Sequence, residues 1–329
     1  MPLQPSSVAP ETLHLTGSGR LKVTNGRLRW SDANQRSVHI NPQRLRQLFI
    51  YDEVTLSDRV MQILFEHRVE VAWLSPGGRR CRGRLIATNS TVSLRMLQHE
   101  AFGYPAVRLN IARHFVKAKL ESQLSVLRRA QRNGKSVGTA LSQIESLLPR
   151  VQQVPALAQL RGMEGTATRV WFKNFGALLL PPWTFPGRVR RPPTDPVNAL
   201  LSLAYTWLTT RITAQLEGRG FEIQLGTLHD YRPGRPALSC DVIEPLRVPI
   251  VDRWVLRLFN RRSVNDSDFV TTPEKGTRLV PQRFRDLLKL WEEHLTKVKM
   301  RQALDEQLQI LEQLVRSRSD APSSSDTNR

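Results

Sequence analysis

Apolar and polar positions follow two different periods along this chain, and the change falls near residue 89. In the first part the period is two. LKVTNGRLRW alternates on both sides of Asn25-Gly26, which predicts a hairpin burying Leu21, Val23, Leu28 and Trp30 on one side. Ser57 is placed to cap a helix carrying Val60, Ile63 and Leu64 on one face. VEVAW (69–73) alternates again and stops at the Pro76-Gly77-Gly78 turn, and GRRCRGRLIA (78–87) supplies a last strand. Beyond this the spacing becomes helical. Val116, Leu120, Leu124 and Leu127 recur every three to four residues until Asn133-Gly134. Asp195-Pro196 offers an N-cap and a first-turn proline before a stripe of Val197, Leu201, Ala204, Leu208 and Ile212. Phe284, Leu287, Trp291, Leu295 and Val298 predict another helix.

The predicted organisation is α+β: a small N-terminal β-rich domain over 12–88, then a larger all-α domain over 89–317. Residues 1–11 read as a flexible lead. The end of the chain, RSRSDAPSSSDTNR, has no apolar content to bury, so 318–329 is expected to be a disordered tail. No internal repeat appears.

Size allows two cores, since the chain has 329 residues. No apolar run approaches the roughly 20 residues of a membrane helix. The start, MPLQPSSVAPETLHL, lacks the basic and apolar blocks of a secretory signal. Cys81 and Cys240 lie in separate segments with no zinc spacing, so free thiols and a cytoplasmic location are expected. Charge changes the picture more. There are 49 Lys and Arg against 29 Asp and Glu, a net +20. That balance speaks to a polyanionic partner, and arrayed phosphates fit best because cations release their counterions. An anionic membrane is the weaker choice, because no basic amphipathic helix with an aromatic face stands out.

Three stretches could carry chemistry. LRGMEGTATRVWF (160–172) holds Glu164, which would ordinarily be a solvated helix-surface carboxylate. FPGRVRRPPTDPVNALLSLAY (185–205) places Arg188, Arg190 and Arg191 in an extended segment ahead of Pro192-Pro193. GTLHDYRPGRPALSCDVIEPLR (226–247) gathers His229, Asp241 and Glu244 in a basic setting. If CDVIEPL forms a helical turn, Asp241 and Glu244 at i and i+3 share a face. Pro245 puts that turn near a helix start or break. There is no HExxH, paired CxxC, Walker loop or GxSxG elbow. Spacing alone leaves two readings open: a solvated loop, or half of a metal site that works on a polyanion.

Taken in order, these motifs resemble the CRISPR-associated integrase family, the universal first protein of the spacer-acquisition machinery. The resemblance rests on EG in LRGMEG, on GRVRRPPTDPVNALLSLAYTWL, and on GTLHDYRPGRPALSCDVIEPLRVPIVD. It extends to LHLTGSGRLKVTNGRLRW and LRQLFIYDEVTLSDRVMQILFEHRVEVAWLSPGGRRCRGRL in the β-rich half, and so runs from about residue 12 to 270. It implies a β-rich dimerisation domain, a helical catalytic domain and a homodimer. The dimer would join a small second CRISPR-associated protein and insert DNA fragments into a repeat array through attack by a 3′-hydroxyl. By motif position the resemblance assigns Glu164, His229 and Glu244 to a divalent metal, with Asp241 as an adjacent ligand or as a support behind one. Carboxylates suit Mg²⁺ or Mn²⁺, and the imidazole favours Mn²⁺. Arg188, Arg190, Arg191, Arg247 and Lys173 become candidates for holding DNA phosphates, against the plain reading of solvated surface charge. Asn198 is as well explained by helix-terminus packing as by catalysis. Cys240 stands where an apolar residue is common in the family. A branched-DNA nuclease, a mobile-element integrase and a catalytically inactive DNA-binding subunit are the competing readings.

Overall fold

The computed structural model describes residues 11–32, 37–87 and 92–317. The flexible lead before Glu11, the tail over 318–329 and the junction at residues 88 and 89 lie outside the described residues.

Among the described residues, eight strands, one α-helix and a short 3-10 helix (Pro42–Arg44) build the first part. The strands and the α-helix are β1 (Thr12–Leu15), β2 (Gly19–Thr24), β3 (Arg27–Asp32), β4 (Ser37–Ile40), β5 (Gln47–Ile50), β6 (Val54–Leu56), α1 (Asp58–Glu66), β7 (Glu70–Leu74) and β8 (Cys81–Leu85). The hairpin is β2 with β3, and its register pairs Leu21 with Trp30 and Val23 with Leu28. Asn25 and Gly26 both take positive φ, 50° and 71°, which a two-residue hairpin turn requires. Ser57 Oγ accepts from the Val60 amide at 3.4 Å and starts α1. One sheet runs β4-β3-β2-β6 and the other β1-β5-β7-β8. Leu21, Leu28, Leu48, Ile50, Val60, Leu64 and Val71 form a core shared by the two sheets and α1.

The second sheet is covered on its other face as well. Phe49, Tyr51, Ala72 and Leu74 belong to the core of the helical part. This corrects the reading of VEVAW as an alternating strand. Val71 turns to the first core while Ala72 and Leu74 turn to the helices, so β7 is buried on both faces. Arg84 clamps Glu217 with two hydrogen bonds, at 2.6 and 2.8 Å, across the same junction.

The helical part comprises α2 (Val92–Gly103), α3 (Pro105–Arg132), α4 (Gly138–Leu147), α5 (Leu157–Phe175), α6 (Pro196–Arg219), α7 (Ala237–Val242), α8 (Glu244–Leu246), α9 (Arg253–Asn260), α10 (Pro281–Lys297) and α11 (Met300–Arg316). A π turn over Arg247–Asp252 joins α8 to α9. The predicted α3 stripe is buried throughout. The predicted α6 stripe is too narrow: Leu200, Leu203, Tyr205 and Trp207 are buried too, because α6 is packed on all sides. Its cap is as expected, with Asp195 Oδ1 accepting from the Asn198 amide at 2.8 Å. Trp207, Trp254 and Trp291 stack against one another with centroids 4.8 to 6.4 Å apart, each pair contributing about 1 kcal/mol beyond burial. Among the described residues, no helix is long and apolar enough to cross a membrane.

In one respect the helical part is not all-α. Strands β9 (Phe269–Thr272) and β10 (Gly276–Leu279) form an antiparallel ribbon. Two short strands are marginal alone, and this pair leans on the 188–193 segment. The Thr277 amide donates to Pro193 O at 2.8 Å. A Cβ on Gly276 would stand 2.3 Å from that same oxygen.

Candidate active site

The site forms where α5, α6 and the α7–α8 region meet around a cavity of about 290 Å³. Glu164, His229, Glu244, Arg190, Arg235 and Arg247 line it. Glu164 sits in the interior of α5. His229 sits on a loop after α6, and Glu244 opens α8 directly after α7.

The loop carrying His229 is fixed from within. Asp241 is fully buried. Its Oδ2 accepts from the amides of Thr227 at 2.5 Å and Leu228 at 3.1 Å, and from Thr227 Oγ1 at 3.1 Å. Its Oδ1 accepts from the His229 amide at 3.0 Å and lies 2.6 Å from His229 Nδ1. The loop closes tightly, because a Cβ on Gly226 would come within 2.9 Å of Asp241 Oδ2. The carboxylate oxygen beside Nδ1 is an acceptor and places the ring proton on Nδ1. Nε2 then carries the free lone pair.

Asp241 and Glu244 therefore do not act as a pair on one face. Asp241 stands behind His229, whereas Glu244 turns to α3. There it meets Lys119, a residue the sequence reading did not select. Lys119 Nζ bonds Glu164 Oε1, donates to Thr168 Oγ1 at 2.8 Å and stands 2.6 Å from Glu244 Oε2. At that distance Lys119 is a charge-assisted partner of the buried Glu244 Oε2 as well as of Glu164. The other oxygen, Oε1, accepts from Arg247 at 2.6 Å. Burial opposes ionisation of Glu244, but Arg247 and Lys119 outweigh it and bring its pKa down to about 2.

The π turn shapes the floor. Pro245 and Pro249 supply no N–H, and such wide turns recur at functional sites. Arg247 lies 4.4 Å over the Tyr205 ring at one end of the turn. Asp252, at the other end, takes the Tyr205 hydroxyl and Trp171 Nε1, the latter at 2.9 Å. Burial lifts Asp252 to about 6 against the pull of these donors and Arg247.

The structure thus brings Glu164, His229, Glu244, Arg190 and Arg247 together. Arg188 is instead an anchor: it donates to Asn198 Oδ1 at 2.9 Å and Ser202 Oγ at 3.0 Å. Asn198 is fully buried and holds the amide of Val189 and the carbonyl of Gly187, which accounts for it by packing. Arg191 and Lys173 are exposed and do not line the cavity. Cys240 lines it. Among the described residues, no three His, Cys, Asp or Glu side chains already converge as a metal cage. Lys119 had a signal in the sequence: it is a charge on the buried stripe between Val116 and Leu120. Tyr205 and Asp252 had none, being single polar groups within apolar runs.

Residues 13–293 match the family model described as CRISPR associated protein Cas1. The chain is 33% identical over 285 residues to CRISPR-associated endonuclease Cas1 1 of Thermus thermophilus, covering 86% of each protein. It superimposes on a Cas1 protein from Thermotoga maritima with TM-score 0.81 at 22% identity, covering 93% of this chain and 97% of that one. A casposase bound to integration product aligns with TM-score 0.75 and 23% identity over 86% and 82%. A chain of a Cas6-RT-Cas1–Cas2 complex aligns with TM-score 0.73 and 23% identity, over 92% of this chain and 36% of that one. This chain belongs to the Cas1 family of CRISPR-associated proteins.

Proposed function

We propose that the protein is a metal-dependent DNA endonuclease and integrase that joins DNA 3′-hydroxyl ends to a CRISPR repeat array. The observation that carries this is the donor set on one cavity wall. Glu164, His229 and Glu244 line a cavity that is also lined by Arg190, Arg235 and Arg247. Two carboxylate groups and an imidazole suit Mg²⁺ or Mn²⁺, so the residues present fit a divalent ion. Such an ion supplies charge neutralisation at the phosphorus and stabilises the leaving alkoxide.

The chain's own groups do the rest. Asp241 keeps the His229 proton on Nδ1, so that Nε2 is available as a ligand. Thr168 donates to Glu164 Oε1 at 2.8 Å and orients that carboxylate. Arg190, Arg235 and Arg247 place positive charge where a phosphodiester would lie. No side chain is required as a covalent nucleophile. The partners that fit are double-stranded DNA, a second copy of this chain joined through the β-rich half, and a Cas2-type protein. The family and the Cas1–Cas2 assembly among its structural neighbours support the last of these.

The test is strand transfer. Labelled DNA with free 3′-hydroxyls is incubated with a repeat-bearing plasmid, with and without the small partner, in Mg²⁺, Mn²⁺ or EDTA. Metal-dependent joining that is lost in Glu164→Ala is the expected result. Cleavage without joining would favour a branched-DNA nuclease, and binding without either would favour an inactive DNA-binding subunit.

A further inference from the structure

We infer that Lys119 is a resident counter-cation that makes metal loading of this site depend on bound DNA. The inference rests on the reading of the cavity as a metal centre. Lys119 is 3% exposed at its side chain and stands between the two glutamates that would hold the ion. A buried ammonium is costly unless paired, and here Glu164 and Glu244 both pair with it while Thr168 holds it in place. Arg247 adds a second cation on Glu244. The buried Glu244 and the partly buried Glu164 are thus already met by two cations, and Asp241 is committed to His229.

A divalent ion entering this cavity adds two positive charges to a compensated set. It would compete with the Lys119 ammonium for the two glutamates. The stem of a lysine is flexible enough for Nζ to swing off the two carboxylates while keeping its bond to Thr168 Oγ1. The surplus charge then needs an anion, and a DNA phosphate in the same cavity supplies it. Metal and DNA therefore strengthen each other's binding, and the coupling is reciprocal. Lys119, shared by the two glutamates, occupies the position between them that an incoming cation would need.

Isothermal titration of Mn²⁺ into the full chain tests this, with and without a short duplex bearing 3′-hydroxyl ends. The wild type, Lys119→Met and Lys119→Gln are compared, with His229→Ala as the site control. Wild-type Mn²⁺ affinity is expected to rise about tenfold or more when DNA is present. Lys119→Met and Lys119→Gln are expected to reach most of that affinity without DNA, and to gain little from adding it. A lysine with a merely structural role would lower the melting temperature of the variants without tightening Mn²⁺ binding.

Equal wild-type affinities with and without DNA would overturn the inference, a comparison that needs no variant to fold. Folded variants that keep wild-type affinity and wild-type DNA dependence would overturn it too. Both results leave the metal centre itself standing. Mn²⁺ binding that is absent in all forms, or unaffected by His229→Ala, would instead remove the metal centre and this inference with it.

Discussion

Asp241 Oδ1 lies 2.6 Å from His229 Nδ1 and 3.0 Å from the same residue's amide, so one carboxylate sets both the ring and the loop beneath it. Asp241→Asn puts an amide where the ring proton must be accepted and loosens the choice of tautomer. Mn²⁺ affinity and strand transfer should each fall about 10- to 100-fold. Titration calorimetry and a joining assay at saturating DNA measure the two. Unchanged metal affinity would mean that Asp241 supports only the backbone.

On the proposed metal-centre reading Glu244 serves stability as well, because Lys119 and Arg247 both pair with it. Glu244→Gln should destabilise the fold by about 3 kcal/mol, the usual cost of breaking a buried ion pair. His229→Ala, at a side chain 23% exposed, should cost much less. Chemical denaturation compares them. The pH dependence follows from the sign of the shift. Glu244 is held at about 2 against an ordinary 4.5, so its contribution is complete above 4.5 and is lost as pH falls toward 2. The variant should lack that acid-dependent loss.

Arg188 and the pair Arg190 and Arg191 should separate cleanly. Replacing both Arg190 and Arg191 by alanine should weaken DNA binding and flatten its salt dependence, since phosphate contacts set that slope. Arg188→Ala should leave the slope alone and lower stability by about 2 kcal/mol, because its bonds to Asn198 and Ser202 are structural. Binding titrations over a salt series would reassign Arg188 if its variant flattened the slope.

His294 ties the π turn to α10 by a 2.7 Å contact between Nε2 and Ile250 O. Burial among aromatic rings, reinforced by Arg257, Arg253 and Lys297, holds it down to about 4 despite the favourable carbonyl. A histidine held below its ordinary 6.5 loses stability as pH falls from 6.5 through 4. Asp252, lifted to about 6, works in the opposite sense over much of that range, so the informative quantity is the difference between variant and wild type. His294→Gln keeps a donor for Ile250 O, and its melting temperature should fall less than that of the wild type between pH 6.5 and 4. Parallel curves would remove His294 from the acid response.

Local patterns in the sequence determined a good part of this molecule. The Asn25-Gly26 hairpin, the Ser57 and Asp195 caps and the α3 stripe depend on neighbours within a few residues, and each stands where its pattern placed it. Glu164 and His229, singled out by the order of their motifs, line one cavity. The tertiary structure alone decided what depends on distant partners. It divided Asp241 from Glu244, since one faces the 227–229 loop and the other faces α3. It buried α6 on every side and β7 on both faces, because a residue's periodicity reports one covered face and not how many layers cover it. It also set Lys119 between Glu164 and Glu244, 45 and 125 residues away along the chain, where low dielectric makes their pairing strong. No local period encodes a meeting of that kind, because the charges share a site only after the helices that carry them have packed.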